Sequence, residues 1–345
     1  MAPALHAEEM RSQIAGLRLG VPLSLSGRYA RFGEQARLGL EIWQAAEDGA
    51  EVVVEDDRSD PEVLERVLRG LAVRCDLLLG PYSTHLMRRA GRVAADLNRL
   101  VWNHGGAGDD VQAAYPGHLV SILAPASAYA EPFVRRLAED GERDRLWVVP
   151  GKGSFGRQVA AGAEWAAHER GIPVTVARPG DALPVGGSWN LLCCGSFEED
   201  VEVVRRGAGA RAICAVAAGV RAFGEAVGDP HGIYGVGQWF PDGGGEAAVG
   251  MPERDFVAAY RERAGTVPDY PAVQAVAAAV VATHCATLTG STGRAEHAER
   301  AGRAGRAALW AAATALETTT LFGAFRVDPG SGAQIGHRAA LTRWP

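Results

Sequence analysis

Short apolar runs alternate with segments of helical apolar spacing between Leu17 and Gln238. The runs have the length and the near-continuous apolar character of strands that are buried on both faces. Strands separated by helices predict a parallel sheet covered by helices on both sides. In the first series the predicted strands are residues 17–23, 52–55, 76–79 and 100–103, and the predicted helices are 32–46, 61–74 and 83–97.

A second series begins near residue 119 and ends near residue 238. Its predicted strands are residues 119–123, 146–149, 174–177, 191–194, 212–217 and 233–238, and its predicted helices are 129–139, 155–169, 199–206 and 220–227. Two successive α/β series predict two lobes. A ligand is then expected at the carboxyl ends of the strands, in the crevice between the lobes.

The last third of the chain has a different pattern. Helical spacing returns at residues 255–263, 272–289 and 307–317, and a polar loop rich in Gly and Arg is predicted at 290–305. Two β-like segments, residues 325–328 and 336–341, flank a Gly/Ser turn.

Composition and charge exclude several classes of function. The chain has 345 residues and a net charge of −6, which fits a soluble protein of about two domains and excludes a basic nucleic-acid footprint. Lys152 is the only lysine, so Schiff-base or P-loop chemistry could rest on that residue alone. The five cysteines lie mostly in apolar runs and are interpreted as buried hydrophobes.

Targeting and catalytic signals are missing from the sequence. The first residues contain no apolar signal core, and no stretch is uninterruptedly apolar over the length of a membrane span. As written, the chain is expected to be neither secreted nor membrane-embedded, unless a leader has been removed. No zinc-protease, nucleophile-elbow, Walker A or paired-cysteine motif occurs, so catalysis has no positive support.

One glycine motif favours an enzyme as the alternative. Residues 151–156 match G-x-G-x-x-G, follow a predicted strand and open a helix, as in dinucleotide-binding folds, and Arg178 could contact a 2′-phosphate. The motif lies in the second series, however, and the whole chain is rich in Gly. We therefore expect a tight loop that lines the cleft and no cofactor, and keep an NADP-dependent oxidoreductase as the alternative.

Two strand-end loops in the first series carry polar groups suited to a ligand. Tyr82, Ser83 and Thr84 come between an apolar strand and a helix, where hydroxyls and unpaired backbone N–H groups meet the positive end of the helix dipole. This pattern favours a receptor for a carboxylate or amide oxygen, although Ser83 could be only a helix cap. Trp102 and His104 lie beside the next loop, and no metal site is expected there because the histidines and carboxylates lack metal-ligand spacing.

An ordered set of short motifs resembles type I periplasmic solute-binding proteins of the branched-chain amino acid and amide class. The resemblance covers residues 17 to 343. The motifs that carry it are residues 19–33 (LGVPLSLSGRYARFG), 80–83 (GPYS), 154–157 (SFGR), 234–236 (YGV), 270–275 (YPAVQA) and 322–328 (FGAFRVD). The run at residues 82–85 is also similar to the branch of cytoplasmic amide-sensing regulators. The resemblance implies two Rossmann-like α/β lobes joined by a hinge of three crossovers, which close on a ligand.

The resemblance also implies the domain boundaries. Lobe 1 would combine residues 17–123 with 243–327, lobe 2 would combine 124–242 with 328–345, and residues 1–16 would form a tail. The crossovers would lie near residues 123–127, 238–243 and 327–332.

Carried over by position, the family's ligand contacts fall on both lobes. The expected ligand-binding residues are Tyr29, Tyr82, Ser83, Thr84, Trp102, His104, Gly105, Gly106, Phe155, Ser196, Phe197, Gln238 and Trp239. Ser83 and residues 104–106 would clamp a carboxylate or amide. This chain has Gly219 where amino acid binders place an acid for the ammonium, so Asp109, Glu198 or Asp242 takes that role or the ligand lacks an ammonium.

The resulting hypothesis is a non-enzymatic binding protein for an amino acid of branched-chain or aromatic type, or for a small amide, within an ABC importer. The alternative in the same class is a cytoplasmic ligand sensor with a regulatory partner protein. The compartment follows the same choice: extracytoplasmic if a leader was removed, cytoplasmic otherwise. A monomer or homodimer that binds neither metal nor nucleic acid is expected.

Overall fold

The computed structural model describes residues 16–46, 50–141, 143–178, 180–290 and 298–345. The chain divides into two compact units. Unit 1 comprises the chain up to Leu123 together with Pro241–His337, and unit 2 comprises Ala124–Phe240 together with Arg338–Pro345. The first series, the helix-rich last third of the sequence and the first predicted strand of the second series (residues 119–123) therefore form one unit. The rest of the second series forms the other unit.

Unit 1 is built on a parallel sheet of five strands in the order β2-β1-β3-β4-β5. The strands are β1 (Arg18–Leu23), β2 (Glu51–Asp56), β3 (Leu77–Leu79), β4 (Val101–Asn103) and β5 (Leu119–Ser121). The intervening helices are α1 (Ala30–Ala46), α2 (Pro61–Arg74), α3 (Thr84–Asp96) and α4 (Asp109–Gln112). The predicted parallel α/β architecture is confirmed.

Local sequence signals explain the start of α2. The Asp60 side chain accepts hydrogen bonds from the backbone N–H groups of Glu62 and Val63, at 2.8 and 2.9 Å, and Pro61 occupies the first helical position. An aspartate cap followed by proline favours helix initiation because the cap satisfies free N–H groups and proline presets φ. The predicted helix 61–74 is confirmed to the residue.

The core of unit 1 contains the helix α10 (Tyr270–Leu288), which is long and apolar enough to cross a membrane. Within its most apolar window 83% of the residues are buried, as in the core helix of a globular protein. It packs on α1, and the close approach depends on Gly39, where a Cβ would lie 2.8 Å from the carbonyl oxygen of Ala272. The other helices of this region are α9 (Glu253–Ala264) and α11 (Ala298–Ala315).

Unit 2 contains a sheet of six strands in the order β13-β10-β9-β8-β6-β7. Its elements in chain order are a 3₁₀ turn (Ala126–Ala128), α5 (Glu131–Glu139), β6 (Arg145–Pro150), α6 (Ser154–Glu169), β7 (Val174–Val176), β8 (Trp189–Cys194), α7 (Phe197–Arg206), β9 (Ala212–Ala215), a 3₁₀ turn (Ala217–Gly219), α8 (Ala222–Val227), β10 (Tyr234–Gly237) and β13 (Ala340–Arg343). All pairs are parallel except β10 with β13, which is antiparallel. The predicted β-like segment 336–341 overlaps this edge strand only at residues 340–341, and its antiparallel pairing was not predicted.

Three further features differ from the sequence-based expectations. The predicted loop at 290–305 is wrong from residue 298 onward, because α11 begins at Ala298. The helix propensity of its alanine, arginine and glutamate residues outweighs the destabilising effect of its two early glycines. Residues 291–297 of that loop lie outside the described residues. A hairpin of β11 (Thr318–Thr320) and β12 (Gly323–Phe325) was not predicted.

The passage into the last segment of unit 2 also lies further along the chain than the expected crossover. Residues 328–337 belong to unit 1, where the Gln334 side chain donates to the carbonyl oxygen of Ile122 at 3.1 Å. The backbone N–H of Gln334 donates to the Gln112 side chain at 3.2 Å. These buried side-chain contacts, which no local pattern reveals, hold the segment against β5.

Candidate functional site

Each sheet has a point where the strand order reverses, and ligands of open α/β sheets bind outside the carboxyl ends of the strands at such points. In unit 1 the reversal lies between β1 and β3, and in unit 2 it lies between β6 and β8. We call the three loops after β1, β3 and β4 (residues 24–29, 80–83 and 104–108) the unit-1 edge. The corresponding loops after β6, β8 and β9 (residues 151–153, 195–196 and 216–219) are the unit-2 edge.

Four aromatic side chains meet at the unit-1 edge. The ring of Tyr82 stacks on Phe32 with centroids 4.6 Å apart and lies 6.1 Å from the ring of Tyr29. The Tyr82 hydroxyl is 3.2 Å from the hydroxyl of Tyr270. Burial raises the pKa of Tyr270 to about 12, against the hydrogen bond with Tyr82, so this phenol stays neutral at physiological pH. Arg28 lies over the ring of Tyr29, 5.6 Å from its centroid.

Ser83 is held in an unusual backbone conformation at this edge. Its φ is 88°, a region that L-residues avoid. Two hydrogen bonds hold it there: its N–H donates to the carbonyl of Gly105 at 2.9 Å, and its Oγ accepts from the N–H of Leu86 at 3.3 Å. Ser83 is therefore the N-cap of α3, and its hydroxyl can still donate to an acceptor.

The loop after β4 is organised by Asn103, which the sequence interpretation did not single out. Its amide oxygen accepts from the N–H groups of Gly105 and Gly106, at 3.2 and 2.8 Å, and its amide nitrogen donates to Ser121 and to the Gly106 carbonyl. The two glycine N–H groups expected to clamp a ligand carboxylate are thus used within the protein. The glycines are needed for space, because a Cβ on Gly105 would lie 2.3 Å from the carbonyl oxygen of Pro81.

Trp102 and His104 lie deeper than the sequence interpretation expected. Both are fully buried in the folded chain. The two ring nitrogens of His104 have no hydrogen-bond partner among the described residues. Burial lowers the pKa of His104 from 6.5 to about 4, and the nearby backbone of Gly80 offsets this only in part. The imidazole is therefore neutral at physiological pH.

The predicted residues of unit 2 fall into two groups. Phe155, the second residue of α6, packs edge-on against Tyr129 with ring centroids 5.2 Å apart. Ser196 and Phe197 lie at the start of α7, where the Ser196 hydroxyl accepts from the N–H of Glu199 at 3.4 Å and forms a capping box with it.

The second group consists of Gln238 and Trp239, which follow β10 and pack inside the protein. The Gln238 side chain bonds both the N–H and the carbonyl of Ala124, each at 3.0 Å, and donates to the Tyr129 hydroxyl at 2.7 Å. Trp239 is buried. A buried amide with these contacts fixes the chain at residue 124, where it enters unit 2.

Protein atoms occupy the space beside Gly151 and Gly156 of the glycine motif at residues 151–156. A Cβ on Gly151 would lie 2.4 Å from a carboxylate oxygen of Glu199, and one on Gly156 would lie 2.2 Å from the carbonyl oxygen of Cys194. The Lys152 N–H donates to Glu199 at 3.4 Å. A dinucleotide pyrophosphate would meet this carboxylate at the loop, so the arrangement favours close packing as the reason for the glycines.

A close backbone contact explains why residue 219 is a glycine. A Cβ there would lie 2.5 Å from the carbonyl oxygen of Val236 on β10, so no carboxylate side chain fits at this position. Of the candidate replacements, Asp109 opens α4, Glu198 lies in the first turn of α7, and Asp242 lies in the loop after β10. Within the described part of the chain, no group of three or more His, Cys, Asp or Glu side chains is arranged to hold a metal ion.

Comparisons with known proteins agree with this fold. Residues 16–182 match the family model of periplasmic binding proteins. A leucine-binding protein LivK from Thermotoga maritima has 15% identity and a TM-score of 0.75, and the match covers 94% of each chain. The branched-chain amino acid binding protein LivJ from Streptococcus pneumoniae, in complex with isoleucine, has 15% identity and a TM-score of 0.71, over 94% of this chain and 95% of that one.

A third similar structure has a different ligand. It is a solute-binding protein of an ABC transporter from Rhodopseudomonas palustris in complex with 3,4-dihydroxybenzoic acid, with 14% identity and a TM-score of 0.74, over 95% of this chain and 92% of that one. No curated protein sequence matches the chain. The match over residues 16–182 and the fold shared along both units confirm that the chain resembles type I periplasmic binding proteins.

Proposed function

We propose that this protein binds a small organic ligand without chemical conversion, as the solute-binding component of an ABC importer outside the cytoplasm. The ligand contacts the unit-1 edge, and the strand-end loops of the unit-2 edge are a second ligand-binding surface. The observation that carries the proposal is the unit-1 edge itself: a backbone-strained serine beside a cluster of four aromatic side chains at the point where the strand order reverses.

Strain at Ser83 supports a binding role. A non-glycine residue held at positive φ costs about 1–3 kcal/mol, and such residues concentrate at ligand sites. Here the strain presents the Ser83 hydroxyl at the N-terminus of the 13-residue helix α3, where the helix dipole favours negative charge. A carboxylate or amide oxygen is the ligand group that suits this position.

The neighbouring aromatic cluster favours a ligand with a flat or branched apolar part. Tyr29 and Tyr82 are only half-buried, so their ring faces can pack against such a group. Of the three similar structures, one is a leucine-binding protein and two are complexes with isoleucine and with 3,4-dihydroxybenzoic acid. Each of these ligands joins a carboxylate to an apolar body. We therefore propose branched-chain or aromatic amino acids, small amides and aromatic carboxylates as the ligand classes.

A ligand screen tests the proposal. We expect L-leucine, L-phenylalanine, acetamide or 3,4-dihydroxybenzoate to raise the melting temperature, since a ligand that binds only the native state stabilises it. Ser83→Ala should weaken binding by about 1–3 kcal/mol, the cost of an unpaired buried polar group. Ser188→Ala, at the amino end of β8, is the matched control and should leave affinity unchanged.

Two outcomes would contradict the proposal. Micromolar binding of NADP⁺ with no response to any small ligand would favour the oxidoreductase alternative at residues 151–156. Equal affinity in wild type and Ser83→Ala would remove Ser83 from the site. Importer and sensor roles separate by location and uptake: the importer role requires the protein outside the cytoplasmic membrane and loss of ligand uptake when it is deleted.

A further inference from the structure

Two consecutive carboxylates on α7, Glu199 and Asp200, make hydrogen bonds to all three loops of the unit-2 edge. Glu199 is half-buried and Asp200 is 1% exposed. Buried carboxylates are costly unless hydrogen bonds compensate them, so their contacts indicate what they do. Neither residue was singled out as a site residue from the sequence.

Glu199 joins the loops after β6 and β8. Its two carboxylate oxygens accept from the N–H of Lys152 at 3.4 Å and from the N–H of Ser196 at 2.8 Å. Burial alone would raise the pKa of Glu199, but the hydrogen bonds from Ser196 and Lys152 lower it below its usual value. Glu199 is therefore ionised at neutral pH and accepts both bonds.

Asp200 joins the loops after β8 and β9. Its Oδ1 accepts from the N–H of Gly195 at 2.6 Å, and its Oδ2 accepts from the N–H of Ala217 at 2.9 Å. Gly195 leaves room for this contact, because a Cβ there would lie 2.9 Å from the Cβ of Glu199. One side chain thus sets the separation of two neighbouring strand ends.

We propose that Glu199 and Asp200 are positioning residues that fasten the three loops of the unit-2 edge into one rigid ligand-facing surface. This inference rests on the proposed function for the ligand, while the fastening of the loops can be measured without one. Rigid loops bind more tightly because less conformational entropy is lost on binding.

The protonation state of Asp200 provides a second test of the proposal. Burial raises the pKa of Asp200 to about 7, with the nearby charge of Glu199 acting in the same direction and the bonds from Ala217 and Gly195 opposing it. An opening that exposes Asp200 to water returns its pKa toward 3.8, so the closed loops bind a proton more tightly than the opened loops do. The loops after β8 and β9 should therefore be held more firmly at pH 5.5 than at pH 8.

The groups that face Asp200 do not obscure this titration. Cys193 and Cys194 on β8 and Cys214 on β9 surround it; burial, and then the charge of Asp200, raise the pKa of each thiol well above 9, so they stay neutral. The 3₁₀ turn at residues 217–219 carries no charge, and α8, which also packs on α7, carries Glu225.

Amide hydrogen exchange of the full chain without ligand tests the fastening. We expect Asp200→Asn to lower the protection of the Gly195 and Ala217 amides about tenfold, the effect of a lost charge-assisted hydrogen bond, and to leave Lys152 unchanged. Glu199→Gln should instead affect the Lys152 amide and leave Ala217 unchanged. Glu202→Gln, an exposed acid on the same helix, is the matched control.

Two further measurements make the test decisive. In wild type, protection at Gly195 and Ala217, corrected for intrinsic exchange, should rise as the pH falls from 8 to 5.5, and Asp200→Asn should show no such rise. A uniform loss of protection across unit 2 in both variants, or no loss at all, would overturn the fastening. The wild-type pH series keeps the test valid if a variant fails to fold.

Ligand binding tests the second half of the proposal with L-leucine, acetamide and 3,4-dihydroxybenzoate as probes. Both variants should bind the responding probe about tenfold more weakly than wild type and Glu202→Gln. Unchanged affinity with loosened loops would overturn the positioning role. If no probe binds wild type, the proposed function fails, whereas the exchange result still decides whether the loops are fastened.

Discussion

The pH dependence of unit 1 should depend on His104. This histidine is fully buried, and neither of its ring nitrogens has a partner among the described residues. Burial lowers its pKa from 6.5 to about 4. Between these pH values the unfolded chain takes up a proton that the native state does not, so the native state loses stability as the pH falls from 6.5 to about 4.

The size of the effect follows from the two pKa values. At about 1.4 kcal/mol per pKa unit, a fall from 6.5 to about 4 makes the loss about 3 kcal/mol. Asp200 in unit 2 acts in the opposite direction, because burial raises its pKa from 3.8 to about 7 and the native state takes up its proton first as the pH falls. The stability of wild type alone would mix the two effects.

The assay is therefore a difference between variants. His104→Leu replaces the unpartnered imidazole with an apolar side chain of similar volume, which should be nearly neutral or stabilising at pH 7.5. Urea unfolding, followed by hydrogen exchange in each unit, gives the free energy of unfolding of wild type and of His104→Leu. In unit 1 the difference between these two free energies should change by about 3 kcal/mol between pH 6.5 and 4. His168→Gln, at an exposed histidine on α6, is the control and should show the wild-type pH dependence.

One result would refute this reasoning. If the difference between wild type and His104→Leu is constant from pH 7.5 to 4, the imidazole is not held neutral by burial in the native protein. A divergence that appears in unit 2 instead of unit 1 would equally contradict the assignment to His104.

Two other substitutions test the close contacts of each unit by denaturant unfolding. Gly105→Ala should lower the free energy of unfolding by about 1–3 kcal/mol, because its Cβ would meet the Pro81 carbonyl. The control Gly153→Ala has open space around its Cβ and should lower it by less than about 0.5 kcal/mol. Equal effects of the two substitutions would contradict the contact. Gln238→Leu should cost about 2–4 kcal/mol, because it leaves the N–H and carbonyl of Ala124 unpaired in a buried position, and an unchanged midpoint would argue against this role.

The sequence predicted most of the elements wherever local signals agree. Asp60 and Pro61 defined the start of α2, and near-continuous apolar runs identified the parallel strands. The prediction was weaker where local signals conflict: the glycines among residues 298–305 favoured a loop, but the alanine and arginine content produced a helix. The edge strand β13 was predicted only at residues 340–341, and its pairing with β10 was not predicted, because strand pairing joins residues far apart in the chain.

The candidate site shows the same division. The helical and strand periodicities were enough for the α/β class and for the loops that carry the unit-1 edge, because helices, strands and turns depend on near neighbours. The two lobes were expected from the two successive series and from the order of the motifs, and each lobe is assembled from segments far apart in the chain. Packing alone settled that Tyr270 meets Tyr82, that Asn103 takes the N–H groups of the two glycines, and that His104 is buried without a partner. Burial and hydrogen-bond partners depend on which distant segments fill the same space, and only the folded chain decides that.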